Sequence, residues 1–168
     1  MALPVVFDCM VFLQAAARRD SIASACLELA EQGHLQLCLS REVLAEIGDV
    51  LQRPEIHDRF PSLTHERVTE FLEAVGRMGV LFPAVDHHFH FERDPKDEPY
   101  LNLAIQARAH YLASRDKDIL DLQHGTDPAA VDFRARFPFV RIVDPLEFLQ
   151  EIRQVLQPPR PREPGRER

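Results

Sequence analysis

The sequence predicts an α/β fold, a three-layer α/β/α sandwich with a central parallel sheet. Short apolar segments alternate with amphipathic helical stretches, and acidic residues directly follow some of those segments. The chain has 168 residues, 45% hydrophobic and 28% charged, which is the size and balance of one globular domain. Repeated strand–helix–strand units place parallel strands in one sheet with helices on both faces.

The predicted strands are short and apolar. The first one ends in an acid, Asp8, as expected where a buried strand reaches the edge of the sheet. Pro83 cannot donate a ladder hydrogen bond, so its segment is predicted to be an edge strand or irregular. The predicted strands cover residues 5–8, 35–39, 80–85, 111–114 and 139–143.

The predicted helices have recognisable start and stop signals. Ser21 and Ser40 are suited to cap helix N-termini, and Gly33 and Gly79 to follow helix ends. The predicted helices cover residues 21–32, 40–51, 65–78, 94–108, 117–122 and 144–156. We therefore expect a single domain over residues 1–156. The Pro- and Arg-rich residues 157–168 are predicted to form a disordered tail.

Composition excludes several classes of protein. The net charge of −7 argues against a generic DNA-coating protein. No apolar run is long enough for a transmembrane helix, and the first residues lack the basic region of a signal peptide, so we expect a cytoplasmic protein without membrane contact. Cys9, Cys26 and Cys38 form no close pair, which favours buried thiols over disulfides or a zinc site.

Two acidic residues follow predicted strands. Asp8 and Asp116 come where strands end, and open parallel sheets bind ligands outside the carboxyl ends of their strands. Asp8 has an alternative role as the cap of the next turn. Asp118 lies two residues beyond Asp116, and one of this pair is expected to be a ligand while the other supports it or caps a short helix. Ser114 is placed to hydrogen-bond either a metal-ligating carboxylate or a metal-bound water.

Two more acidic residues lie on predicted helices. Glu46 borders the buried face of the helix over residues 40–51, although its spacing also fits a surface glutamate. Asp97 precedes Leu101 by four residues and so faces the sheet. Its alternative role is to favour the helix dipole behind an Asp94 cap, and for Asp94 itself we favour capping.

Carboxylates that converge in one pocket need cations to remain ionised. Carboxylate and water ligands suit Mg²⁺ or Mn²⁺, and two such ions about 3.5–4 Å apart can promote in-line displacement at a phosphodiester. His87, His88 and His90 are close in sequence, but no cysteine and no H-E-x-x-H helix accompanies them. We interpret these histidines as loop or edge residues.

Five sequence blocks together resemble a known family. Two of them, Arg93–Ala104 and Ser114–Leu120, carry Asp97 and Asp116 in the spacing of that family. The other three blocks are Asp8–Val11, Ser40–Pro54 and Ile142–Leu149. Over about residues 5–149 the chain resembles PIN-domain proteins, and most closely the VapC-type putative toxin ribonucleases.

The resemblance implies a Mg²⁺- or Mn²⁺-dependent ribonuclease that hydrolyses RNA and is the toxin of a toxin–antitoxin pair. It implies Asp8, Glu46, Asp97 and Asp116 as catalytic metal ligands, a cognate antitoxin protein, and a homodimer. The sequence departs from the family pattern at Cys9 and Met10, where the family has Thr and Asn, and at Arg115, where it has Gly. The alternative hypothesis is a non-catalytic PIN-like RNA-binding or scaffold module.

Overall fold

The structure is a computed structural model that describes residues 2–158. Its five strands are β1 (Leu3–Phe7), β2 (Leu35–Ser40), β3 (Gly79–Phe82), β4 (Tyr111–Ala113) and β5 (Arg141–Val143). Its helices are α1 (Cys9–Ala17), α2 (Ile22–Glu31), α3 (Arg41–Leu51), α4 (Pro54–Arg59), α5 (His65–Met78), α6 (Glu98–Gln106), α7 (Lys117–His124), α8 (Pro128–Arg136) and α9 (Pro145–Leu156). A 3₁₀ turn over Pro95–Asp97 precedes α6.

The strands form one parallel sheet in the order β3-β2-β1-β4-β5. Helices flank this sheet, so the predicted three-layer α/β/α fold is confirmed. Val5 lies opposite Leu37 on one side and Tyr111 on the other, and Phe7 lies opposite Ala113. Because the strands are parallel and in this register, the residues that follow β1 and β4 meet at the carboxyl edge of the sheet.

The centre of the sheet is buried on both faces. Val5, Val6 and Phe7 of β1 are almost completely inaccessible to solvent. Phe148 of α9 packs its ring edge-on against Phe7, at a centroid distance of 5.5 Å, and against Tyr111, at 5.3 Å. Burying each side chain of this size contributes about 1.5–3 kcal/mol to stability, so the two strands that lead to the carboxyl edge are firmly held.

Most predicted helix boundaries agree with the structure to within two residues. The Ser21 and Ser40 side chains accept hydrogen bonds from the backbone N–H groups of Ser24 and Val43, as expected of N-caps. Gly33 has a φ of 82°, a left-handed conformation that glycine adopts without a steric penalty. The segment predicted as one helix over 94–108 instead begins with the 3₁₀ turn and ends at Gln106.

Three helices were not predicted. The helix α1 is almost uniformly apolar and most of its residues are buried, so it lacks the polar stripe that marks an amphipathic helix. The helices α4 and α8 begin with Pro54 and Pro128 at their first turn, where proline fits because its missing N–H has no intrahelical partner. Pro54 follows the end of α3 and also starts α4, because proline disrupts a helix interior but fits the first turn.

The chain beyond α9 is described only to Pro158, so most of the predicted tail over residues 157–168 lies outside the described residues. The division into a domain over 1–156 and a tail stays a prediction. Within the described chain, no helix combines the length and the apolar character that crossing a bilayer requires.

Two glycines offer a matched test of the packing around β2. A Cβ at Gly79 would lie 2.8 Å from Cγ of Leu39 and 3.2 Å from the Leu37 carbonyl oxygen, whereas a Cβ at Gly76 in α5 meets nothing within 4 Å. We expect Gly79→Ala to destabilise the protein by about 1–3 kcal/mol through overpacking. Gly76→Ala should stabilise it by roughly 0.5–1 kcal/mol through helix propensity. Urea denaturation of both variants measures the difference, and equal effects would contradict the packing described here.

Candidate metal centre

The ends of β1 and β4 are joined directly at the carboxyl edge. The backbone N–H of Asp8 donates to the Ala113 carbonyl at 3.0 Å, and the N–H of Ser114 donates to the Val143 carbonyl at 3.0 Å. Asp8 therefore begins the chain segment after β1 beside the segment after β4. Both segments turn into helices within three residues, which aims their first side chains above the edge of the sheet.

The Asp8 carboxylate is buried, with 4% of the residue exposed, and both of its oxygens accept hydrogen bonds. Oδ1 accepts from the Val11 N–H at 3.1 Å, so Asp8 is the N-cap of α1. Oδ2 accepts from the Ser114 hydroxyl and from the Arg115 N–H, the latter at 3.1 Å. Asp8 thus has the capping role considered from the sequence and also links two strand ends, while its role as a metal ligand stays a prediction.

Ser114 connects Asp8 to Asp116 through hydrogen bonds. The Ser114 hydroxyl oxygen accepts a hydrogen bond from the Asp116 N–H at 3.0 Å. The Asp116 Oδ1 accepts from the Asp118 N–H at 2.8 Å and caps α7. The Asp116 backbone is therefore held by Ser114, and one of its carboxylate oxygens, Oδ1, already accepts a hydrogen bond.

Three carboxylates converge beside this network. Asp94, Asp97 and Asp116 each offer an oxygen, and these oxygens lie within 4.8 Å of one another. All three residues are partly buried. The segment before α6 and the segment after β4 together form this group, which we call the acidic triad. Asp94 also accepts a hydrogen bond from the Lys96 N–H at 3.1 Å, so the predicted capping role is present as well.

Asp97 is the member of the acidic triad that has a buried oxygen without a hydrogen bond among the described residues. It makes no side-chain capping bond to α6, and its Oδ2 is buried without a hydrogen-bond partner among the described residues. A buried carboxylate oxygen without a partner is unfavourable by a few kcal/mol, about 1–3 or more for a charged group. A hard divalent cation bound by oxygen ligands would remove that penalty, so the residues of the acidic triad fit such an ion.

Mutual repulsion and burial weaken the acidity of this centre. Burial, as the largest cause, and the neighbouring charges of Asp116, Asp94, Asp8 and Asp118 together raise the pKa of Asp97 to about 8. Burial also raises the pKa of Asp8, against the opposing effect of its hydrogen bonds from Ser114, Val11 and Arg115. Without a cation, the centre therefore prefers to hold protons near neutral pH.

Glu46 and Asp118 lie outside the acidic triad. Glu46 is half-buried on α3, and its charge adds to burial in raising the pKa of Cys9 to about 12 and in raising that of Tyr100. Asp118 pairs with Arg93, with 2.7 Å between Oδ1 and Nε, and Arg93 also binds Asp121 at 2.9 Å. The role of Glu46 and Asp118 as metal ligands stays a prediction.

Sequence reasoning gave Asp94 only a capping role, yet the structure adds it to the site. The signal was its position three residues before Asp97, which a tight 3₁₀ turn brings onto the same side. A regular helix would have placed the two residues similarly, so the missing step was to treat Asp94 and Asp97 as a pair.

His87 and His90, which are exposed, form a second cluster with Glu98. His87 and His90 contact the Glu98 carboxylate at 3.3 and 2.8 Å, and His88 contacts Gln106 at 2.7 Å. They lie in the irregular segment before the 3₁₀ turn. Hydrogen bonds to the carboxylate account for this arrangement.

Comparison with known proteins agrees with this geometry. The family model described as the PIN domain matches residues 4–118, which is more than half of the chain. The protein therefore belongs to the PIN domain family, whose members are nucleases in general and typically use divalent metal ions. A search of curated proteins finds no match to the chain.

Removing one charge from the acidic triad should stabilise the metal-free protein. The pKa of Asp97 in the folded state, about 8, lies above its unfolded value, so the protonated carboxyl group is the form that favours folding. The contribution of Asp97 to stability is therefore complete below about pH 4 and is lost as the pH rises towards 8. We expect Asp97→Asn to raise the free energy of unfolding at pH 8 in EDTA, on the order of 1–3 kcal/mol after allowance for solvent screening. The gain should shrink as the pH falls towards 4.

Urea denaturation at pH 5 and pH 8 measures this effect. Asp58→Asn, at an exposed position on α4, is the control for loss of one negative charge. A destabilised Asp97→Asn protein at pH 8 would show that Asp97 is held by favourable contacts rather than by repulsion.

Proposed function

We propose that this protein is a divalent-cation-dependent endoribonuclease and the toxin of a toxin–antitoxin pair. The observation that carries the proposal is the acidic triad, in which a buried Asp97 oxygen has no partner among the described residues. The carboxyl edge of a parallel sheet is where such folds bind ligands. An acidic group at that edge of a PIN domain supports phosphodiester hydrolysis over other activities.

Asp97, Asp116 and Asp94 would hold the cation, with Asp8 beside them. Carboxylate oxygens favour Mg²⁺ or Mn²⁺ over softer metals. When bound, such an ion polarises a water molecule and neutralises charge on the scissile phosphate. Its presence also removes the repulsion that otherwise raises the pKa of Asp97.

The remaining residues act by position. Asp8 accepts from Ser114, and Ser114 accepts from the Asp116 N–H, so one hydroxyl fixes both acids relative to each other. Burial of Asp8 keeps water away from that side of the centre. Arg93 neutralises Asp118 and Asp121, which limits the negative charge that an approaching RNA meets.

The departure at position 115 leaves the network intact. The group that binds Asp8 is the backbone N–H of Arg115, and any residue except proline supplies it. Cys9 and Met10 replace the Thr and Asn that the family pattern has beside Asp8, so a hydroxyl and an amide group are lost there. The pKa of Cys9, raised to about 12, keeps its thiol neutral, and Met10 is 42% exposed. These two residues are what favours the alternative, a PIN-like module that binds RNA without cutting it.

Cleavage assays separate these two functions. We expect wild-type protein to cut RNA with Mn²⁺ or Mg²⁺ and to lose all cleavage in EDTA. Asp97→Asn and Asp116→Asn should lower the rate by more than about a hundredfold, because the cation contributes several kcal/mol to the transition state. Asp8→Asn should lower it by about 10–100-fold, as expected for a residue that orients ligands.

Asp121→Asn is the matched control, since it removes a nearby carboxylate that pairs with Arg93 outside the acidic triad. Calorimetric titration with Mn²⁺ follows cation binding in each variant. A folded wild-type protein that binds Mn²⁺ but cuts none of a diverse set of RNAs would favour the non-catalytic alternative.

The toxin role has its own test. We expect induced expression of the wild-type chain in a bacterial host to reduce colony counts by more than about tenfold, and Asp97→Asn to leave growth unaffected, because growth arrest would require phosphodiester cleavage. A small protein encoded in the neighbouring reading frame should restore growth and co-purify with the chain. We also propose a homodimer, which light scattering of the purified protein measures. Equal toxicity of the wild type and Asp97→Asn would contradict a catalytic toxin.

A further inference from the structure

A groove with an excess of positive charge lies beside the acidic triad. Arg18 follows α1, Arg59 ends α4, and Arg115 follows β4, and all three line a groove of about 510 Å³. Asp20 is the one acidic residue among those that line it. Since the whole chain carries a net charge of −7, this concentration of arginine is a local feature. We call it the arginine groove.

The arginine groove begins next to the metal centre. The Arg115 backbone N–H binds the Asp8 Oδ2 at 3.1 Å, while its guanidinium group contacts the side-chain oxygen of Gln14 on α1. Asp116 of the acidic triad is the next residue in the chain. Arg115 therefore contacts the metal centre through its backbone and lines the groove.

The groove also offers an aromatic surface. Phe60 lines it, and the Arg59 guanidinium lies 5.3 Å from the centre of the Phe60 ring. An aromatic ring next to a guanidinium group is the combination on which unpaired bases stack in sequence-tolerant binding of single strands. Such stacking contributes about 1–3 kcal/mol per base.

A polyanionic substrate needs such a surface here. The acidic triad and Asp8 repel a phosphodiester chain except at a bound cation, so the flanking phosphates require positive charge elsewhere. Arginine suits this purpose because its planar guanidinium binds phosphate oxygens in pairs. The family pattern described above has glycine at position 115, so the arginine there is a feature of this chain.

We propose that the arginine groove binds the phosphodiester backbone of single-stranded RNA on one side of the bond that is cut. Arg18, Arg59 and Arg115 contact successive phosphates, and Phe60 stacks on a base. The inference deepens the proposed ribonuclease function and rests on it for the identity of the strand. It assigns phosphate binding to Arg115, a position at which the family pattern has glycine.

The test measures binding without cleavage. A fluorescently labelled 12-nucleotide single-stranded RNA is titrated with full-length protein in EDTA, and fluorescence anisotropy reports the affinity at several salt concentrations. We expect Arg18→Ala, Arg59→Ala and Arg115→Ala each to weaken binding by about tenfold. Each should also reduce the slope of log K against log salt by about 0.7, the value for one lost phosphate contact.

Arg77→Ala is the matched control. Arg77 is exposed at the end of α5, directly before the amino end of β3, and so lies at the opposite edge of the sheet. Its substitution should leave affinity and salt slope unchanged. The Arg115→Ala variant keeps the backbone N–H that binds Asp8, so its Mn²⁺ titration should match that of the wild type and show that the centre is intact.

Three results would overturn the inference. These are unchanged RNA affinity in all three groove variants, an equal loss in Arg77→Ala, and binding of an oligoglutamate peptide as tight as binding of the RNA. Cleavage is measured separately with Mn²⁺. Groove variants that lose binding, in a protein that cuts no RNA, would uphold the groove and reject the ribonuclease. If the wild-type protein cuts RNA but the groove variants bind RNA normally, the ribonuclease function is upheld and the groove is rejected.

Discussion

The buried carboxylate of Asp8, shared between two strand ends, is the interaction on which the rest of the site depends. Removing it from water raises its pKa, and three donors offset that penalty: the N–H groups of Val11 and Arg115 and the Ser114 hydroxyl. The same hydroxyl fixes the Asp116 backbone. The position of Asp116 above the sheet therefore follows from the pairing of β1 with β4, which brings this member of the acidic triad to the carboxyl edge where parallel sheets bind ligands.

The fold was readable from the sequence because its strands and most of its helices have local signals. Ser21 and Ser40 mark helix starts through hydrogen bonds made within three residues, and such signals do not depend on the rest of the chain. The helix α1 lacks a contrast between a polar and an apolar face, because it is buried on most sides, and only tertiary packing defines it. Pro54 was ambiguous for a local reason, because the same residue stops one helix and starts another.

The site was only partly readable. Asp8, Asp97 and Asp116 could be selected because each stands at a strand end or on the inner side of a helix, and the structure groups the last two and ties the first to them. The choice among the remaining acids depended on partners distant in sequence. Arg93, 25 residues from Asp118 by number, pairs with that aspartate, whereas the 3₁₀ turn adds Asp94 to the group.

The bond between Asp8 and Ser114 joins residues 106 positions apart, and it has a consequence for the order of synthesis. Among the described strands, β1 is translated first and lies in the middle of the sheet, and one of its two neighbours, β4, is translated long after it. Long-range parallel pairing forms late and slowly in folding. The centre therefore cannot form until residues 111–116 have been synthesised and β4 has paired with β1, so its completion is a late event in the folding of the chain.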